Sequence, residues 1–238
     1  MTSLDLRIFY FLNSFAHRSA IADFLIVRTA ENPLTTGAVI VALFWVAWEV
    51  EGKEDMEKRE TLLLGLLASM FSVFLARAIA LALPFRVRPM HNTEIGYRLP
   101  YEMNPDILIR WSSFPSDHAT LFLCLAAVLW MVSRRLGTIA ILYVLIVIDL
   151  PRIYAGMHYP SDIVAGSLLG ICVALLARLP WLRRAVAKPA LDYKESHPVM
   201  FHFCFFLCAF EVGDLFSTVR DFGRYAVHAL HLGSHFTR

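Results

Sequence analysis

The sequence predicts an all-α protein: a polytopic transmembrane helical bundle of five or six spans with an interfacial N-terminal helical segment. Three observations predict it. Of 238 residues, 58% are hydrophobic and only 18% charged, where a soluble domain carries roughly a quarter. Mean hydropathy is +0.56. The apolar residues are also gathered into six runs, at 34–50, 61–83, 119–133, 136–150, 161–177 and 198–218.

A bilayer span needs about 20 residues, with about 17 as the short limit. The runs at 34–50 (LTTGAVIVALFWVAWEV) and 61–83 qualify outright. The next three are shorter and extend into polar flanks that suit the interface. The last is interrupted by Glu211 and Asp214. Ahead of the spans, residues 1–30 contain Asn13, His17, Arg18, Asp23 and Arg28, which excludes the unbroken apolar core of a secretory signal. Leu4, Ile8, Phe11, Leu12 and Phe15 recur at helical spacing, as expected of helices lying in the interface. The expected organisation is one membrane-embedded domain over 1–238. It comprises the N-terminal helices (1–30), a catalytic helical core (34–178), a basic connecting loop (180–197) and a C-terminal helix and tail (198–238).

Cys124, Cys172, Cys204 and Cys208 all fall inside apolar runs and read as buried small hydrophobes. His228, His231 and His235 in the tail read as a solvated or interfacial face rather than a zinc site. A net charge of +2 gives no nucleic-acid signal.

Basic residues set the expected orientation. Lys53, Lys58 and Arg59, then Arg134 and Arg135, then Arg178, Arg183, Arg184, Lys188 and Lys194 lie in alternate connections, which therefore share one side. Their basic content makes that side cytoplasmic. Residues 84–118 and 151–160 fall on the other side, yet they carry Arg86, Arg88, Arg98, Arg110 and Arg152. Those arginines oppose the charge bias, which points to a purpose.

Three stretches meet on that outer face, each at a helix end: PFRVRP (84–89), FPSDHAT (114–120) and RIYAGMHYPSD (152–162). Arg88 and Arg152 are permanent cations with planar donor forks suited to phosphate oxygens. Ser116 has the look of an N-cap, and the start of its helix favours an anion. His118 falls in the first turn. His158 and Asp162 are four positions apart, close enough for the carboxylate to hold one ring nitrogen and free the other for attack. Two histidines, two arginines and a helix start make a phosphoryl-transfer site that needs no metal. Each residue alone has an ordinary reading as a snorkelling arginine, an interfacial histidine or a cap. Their convergence on one face gives the functional reading its weight. Asp149, near the outer end of the fourth run, is expected to pair with Arg152 or Arg88. Gly166 and Gly170 are expected to pack the fifth run closely within the bundle.

With those residues in view, the chain resembles the type 2 phosphatidic acid phosphatase superfamily of membrane lipid phosphatases, which is related to vanadium haloperoxidases. That family's signature is a lysine, six residues and Arg-Pro; then Pro-Ser-Gly-His; then Ser-Arg, five residues, His, three residues and Asp. The chain shows Arg88-Pro89, Pro115-Ser116-Asp117-His118, and Arg152, His158 and Asp162 at the family spacing. Leu81 stands at the lysine position, with Arg86 and Arg77 as candidates to replace its charge. Asp117 replaces the glycine and Pro151 the serine. The Pro-Ser-Asp-His variant is similar to the undecaprenyl pyrophosphate phosphatase branch.

The resemblance implies a hydrolase acting on a phosphorylated membrane lipid through a phosphohistidine. It implies catalytic His158, His118 and Asp162, phosphate-binding Arg88, Ser116, Asp117 and Arg152, no metal and no cofactor, and membrane lipids but no nucleic acid as partners. The implied location is a multi-pass cell membrane, the bacterial inner membrane, with the site facing outward. A phosphatidic acid or phosphatidylglycerol phosphate phosphatase is the alternative enzyme. A non-catalytic lipid-binding or transport protein is the alternative class, disfavoured by the complete His118, His158 and Asp162 set.

Overall fold

The computed structural model describes residues 3–52 and 55–225. The histidines at 228, 231 and 235 lie outside the described residues. Ten helices carry the described residues: α1 (Ser3–Asn13), α2 (Ala20–Glu31), α3 (Leu34–Glu51), α4 (Met56–Ala82), α5 (Asp117–Val132), α6 (Arg134–Tyr154), α7 (Pro160–Leu176), α8 (Pro180–Ser196), α9 (Pro198–Gly213) and α10 (Ser217–Tyr225).

By length and composition α3, α4 and α6 can each cross a bilayer. The pairs α7–α8 and α9–α10 bend by 61° and 92°, and counting each pair as one span brings the total among the described residues to five. α5 is apolar but has only 16 residues, about 24 Å of helix. It is also the axis of the fold, packing against α4, α6 and α7. Leu121, Phe122, Leu125 and Leu129 are all fully enclosed, which explains why this helix is apolar on every face. Outside it, Phe74, Leu81, Val164, Leu168 and Phe203 point away from the protein, as a lipid-facing surface requires. The chain is a multi-pass membrane protein.

Small residues set the closest approach. A Cβ on Gly170 would strike the Thr120 carbonyl, and one on Gly166 would strike the Ser116 carbonyl. α7 therefore lies directly against the first two turns of α5, as expected for this glycine pair.

Three expectations change. Residues 180–196 are helix, with Pro180 at its first turn. Arg183 ties that helix to α4 through Glu57 at 3.2 Å and Glu60 at 3.1 Å. Second, only Cys124 is buried; Cys172 and Cys204 are exposed and sit on the apolar outer surface, where a thiol is equally at home. Third, the N-terminal helices do more than lie at an interface. α1 turns Leu4 and Phe11 outward and buries Asp5, Phe9 and Asn13. Asn13 exchanges two hydrogen bonds with the Arg98 backbone, at 2.8 and 3.0 Å. Asp23 of α2 accepts from the amides of His17 and Tyr101 and from the Tyr154 hydroxyl. This polar inner face fastens the long connection between α4 and α5 to the bundle.

Candidate active site

The α4–α5 connection, the start of α5 and the turn between α6 and α7 meet at one end of the bundle. Ser116 caps α5, its hydroxyl accepting from the Ala119 amide at 3.4 Å. The hydroxyl thus faces into the helix and is buried, so it caps α5 rather than reaching out to phosphate as the resemblance implied. The Ser116 amide donates to the Asp162 carbonyl at 3.1 Å, joining the starts of α5 and α7. The first-turn amides of Asp117 and His118 have no intrahelical carbonyl to bond, so they remain donors for an anion.

His158 sits in the turn before α7 and is buried. Its Nδ1 donates to the Ser113 carbonyl at 2.8 Å, while Nε2 faces Nη1 of Arg88 at 3.2 Å. A proton on Nδ1 leaves a lone pair on Nε2, aimed at a cation. Burial, reinforced by that cation, pulls the imidazole down to about 4, so it is neutral at pH 7.

Asp162 lies 3.8 Å from His158 Nδ1, too far for a hydrogen bond. The ring orientation that sequence reasoning gave to Asp162 comes from the Ser113 carbonyl instead. The carboxylate accepts from the Tyr159 amide at 2.8 Å, from the Ser113 hydroxyl and from Arg86. It therefore fixes Ser113, which fixes His158, and adds a negative charge beside the ring.

The two arginines divide their labour. Arg88 donates to the carbonyls of Trp111 (3.1 Å), Ser112 (3.1 Å) and Met157 (2.6 Å), besides facing His158. Most of its fork is thus spent on holding the loops together, with one N–H and the charge left for phosphate. Burial lowers it to about 10, still a cation at pH 7. Arg152 is equally buried but spends one nitrogen on the Ile148 carbonyl at 2.8 Å. Among the described residues the rest of its fork is uncommitted. His118 packs on Phe122 with ring centroids 6.1 Å apart and lies within electrostatic reach of Arg152, His158, Arg77 and Arg88.

Two expectations need revision. The Asp117 carboxylate is paired with Arg77, so it is its amide, not its side chain, that can serve phosphate. Asp149 makes no ion pair among the described residues, and both its carboxylate oxygens are buried without a hydrogen-bond partner, because Arg152 reaches back to Ile148 rather than across to it.

Neither candidate for the missing lysine stands in its place. Arg77 holds Asp117 and lies over Trp111, 4.1 Å from the ring centre. Arg86 reaches Asp162, the Ser161 hydroxyl at 3.0 Å and Asp5 at 3.5 Å, stacked 4.5 Å over Tyr159. Sequence reasoning missed Ser113 and Asp5. Ser113 acts through its backbone and sits in an unremarkable Ser-Ser pair. Asp5 was readable: with Phe9 and Asn13 it repeats every four residues, opposite the apolar stripe.

The chain is similar to known proteins. The family model for the PAP2 superfamily matches residues 59–185, more than half of the chain. The lipid A 1-diphosphate synthase of Escherichia coli is 26% identical over 75% of this chain and 75% of its own length. The undecaprenyl-diphosphatase BcrC of Bacillus subtilis is 21% identical over 73% of this chain and 82% of its own. The crystal structure of Aquifex aeolicus LpxE superposes with a TM-score of 0.53 at 24% identity, covering 74% of this chain and 95% of that one, and so supports the fold. With the three stretches gathered at one end of the bundle and the matched segment enclosing all of them, the chain belongs to the PAP2 superfamily.

Proposed function

We propose that this membrane lipid phosphatase of the PAP2 superfamily hydrolyses a polyprenyl diphosphate through a phosphohistidine on His158, with its site on the outer face of a bacterial inner membrane. The observation that carries the mechanism is the pair of bonds on His158. Nδ1 is held by the Ser113 carbonyl at 2.8 Å, and Nε2 points at Arg88 at 3.2 Å. Among the described residues the Nε2 lone pair accepts only from a phosphate-binding cation, so this neutral imidazole becomes an available nucleophile when incoming phosphate draws that N–H away.

Nε2 attacks the terminal phosphorus. The open fork of Arg152, the remaining N–H of Arg88 and the amides of Asp117 and His118 take the phosphoryl oxygens. His118 protonates the departing oxygen and then activates the water that cleaves the phosphohistidine. Asp162 stabilises the positive charge that the phosphorylated ring acquires. The diphosphate reading is supported by the similarity to an undecaprenyl-diphosphatase and to a lipid A 1-diphosphate synthase, both named for diphosphate chemistry.

Phosphate release by the purified protein in detergent tests it, comparing undecaprenyl diphosphate with phosphatidic acid and phosphatidylglycerol phosphate. Faster release from the diphosphate is expected. A preference for either glycerolipid would replace the substrate, and no release from any would overturn the enzymatic reading.

A further inference from the structure

Beside the site runs a groove of about 590 Å³, bounded by α4 from Met70 to Leu81 and by residues 110–112 and 215–220. Much of its wall is apolar, with Val73, Phe74, Leu81 and Phe85 among the lining residues. Three arginines line it as well: Arg77, Arg110 and Arg220. Arg77 and Arg220 both lie against Trp111, at 4.1 and 5.9 Å from its ring centre. Asp117 is the carboxylate paired with Arg77. Among the described residues neither Arg110 nor Arg220 forms an ion pair within 4.0 Å, and Arg220 feels Asp117 and Asp214 only at longer range. A surplus of cations gathered in an apolar trench fits an anionic amphiphile. The groove also shares a wall with the catalytic centre, since the carbonyls of Trp111 and Ser112 that hold Arg88 belong to its lining residues.

We infer that this groove is the subsite for the part of the substrate that leaves. Arg77, Arg110 and Arg220 hold the phosphate that stays on the lipid, and the apolar chain runs along α4. The inference rests on the diphosphate reading above and gives it a structural cause. In the first step the His158 Nε2–phosphorus bond forms as the bond from that phosphorus to the bridging oxygen breaks. The bridging oxygen departs with the electron pair on the lipid monophosphate and receives a proton from His118. Water then cleaves the nitrogen–phosphorus bond and releases inorganic phosphate. The three arginines stabilise the charge gathering on the departing monophosphate, a charge that a lipid monophosphate substrate cannot place there.

The test compares farnesyl diphosphate with farnesyl monophosphate, for wild type and for the Arg110→Gln/Arg220→Gln double variant. The ratio of kcat/KM for the diphosphate to that for the monophosphate should fall about tenfold to a hundredfold, the loss typical of charge-assisted hydrogen bonds. Arg110→Lys/Arg220→Lys should recover most of the ratio by keeping the charge. An unchanged ratio, including one left unchanged because both rates drop together, would overturn the groove assignment alone. Release from neither lipid by the wild type would overturn the phosphatase reading and the groove with it.

Discussion

Replacing Asp162 by Asn removes one negative charge from a fully buried position and little else in volume. The carboxylate stands 3.8 Å from His158 Nδ1. At an effective dielectric of about 20, a unit charge at that separation stabilises a developing imidazolium by about 4 kcal/mol. That corresponds to roughly a thousandfold in rate. Asp162 bonds Ser113, Tyr159 and Arg86 and does not face the phosphoryl pocket, so the loss should fall on kcat with KM little changed. Arg86 keeps Asp5 at 3.5 Å, so the fold should survive a stability loss on the order of 1–3 kcal/mol. Steady-state phosphate release and a thermal melt in the same detergent measure both. A kcat within tenfold of wild type would refute the electrostatic role. A variant that no longer accumulates in the membrane would show that Asp162 acts on folding instead.

Other consequences follow from the same geometry. Because burial and Arg88 hold His158 near 4 rather than 6.5, kcat/KM for an aryl phosphate, whose leaving group needs no proton, should stay flat down to about pH 5; an acid limb centred near 6.5 would contradict this. The sign carries over to stability: between about 6.5 and 4 the unfolded chain takes up the proton first, so this contribution is lost as pH falls through that window. His118→Ala should still give a burst of the phenolate leaving group with an aryl phosphate but release phosphate slowly, whereas equal slowing of burst and turnover would remove His118 from the hydrolytic step. Gly170→Leu should push α7 off α5 and lower both the melting temperature and activity, because the Thr120 carbonyl occupies the space a Cβ needs; an unchanged melt would refute that packing. In a background with all four cysteines replaced, an impermeant thiol reagent applied to intact cells should label Glu94→Cys and spare Glu57→Cys, and the opposite pattern would invert the orientation.

How much of this was legible beforehand depended on which physical rule governed each residue. The spans and the packing of α7 were readable because apolar run length and a Gly-xxx-Gly pattern answer to local rules. The three stretches were readable because their residues are costly to place at a membrane and fall on one side by topology. Individual partners were less so. Asp117 pairs with Arg77 across 40 positions, and Arg86 with Asp162 across 76, distances at which spacing carries no geometric information. The hold on His158 comes from the Ser113 backbone carbonyl, which no side chain announces, and the hydroxyl through which Asp162 fixes Ser113 sits in an ordinary Ser-Ser pair. The helix at 180–196 was hidden by its basic residues, which read as a loop until the α4 glutamates are placed beside Arg183.

The central claim is that Nε2 of His158 carries the phosphoryl group. Rapid quenching of the enzyme with a ³²P-labelled substrate in alkali, followed by digestion and mass spectrometry, measures this directly. The account predicts one acid-labile, alkali-stable phosphoramidate on the peptide containing His158, slowed in its decay by His118→Ala and absent in His158→Ala. Label on another residue, or near-normal turnover by His158→Ala, would contradict it.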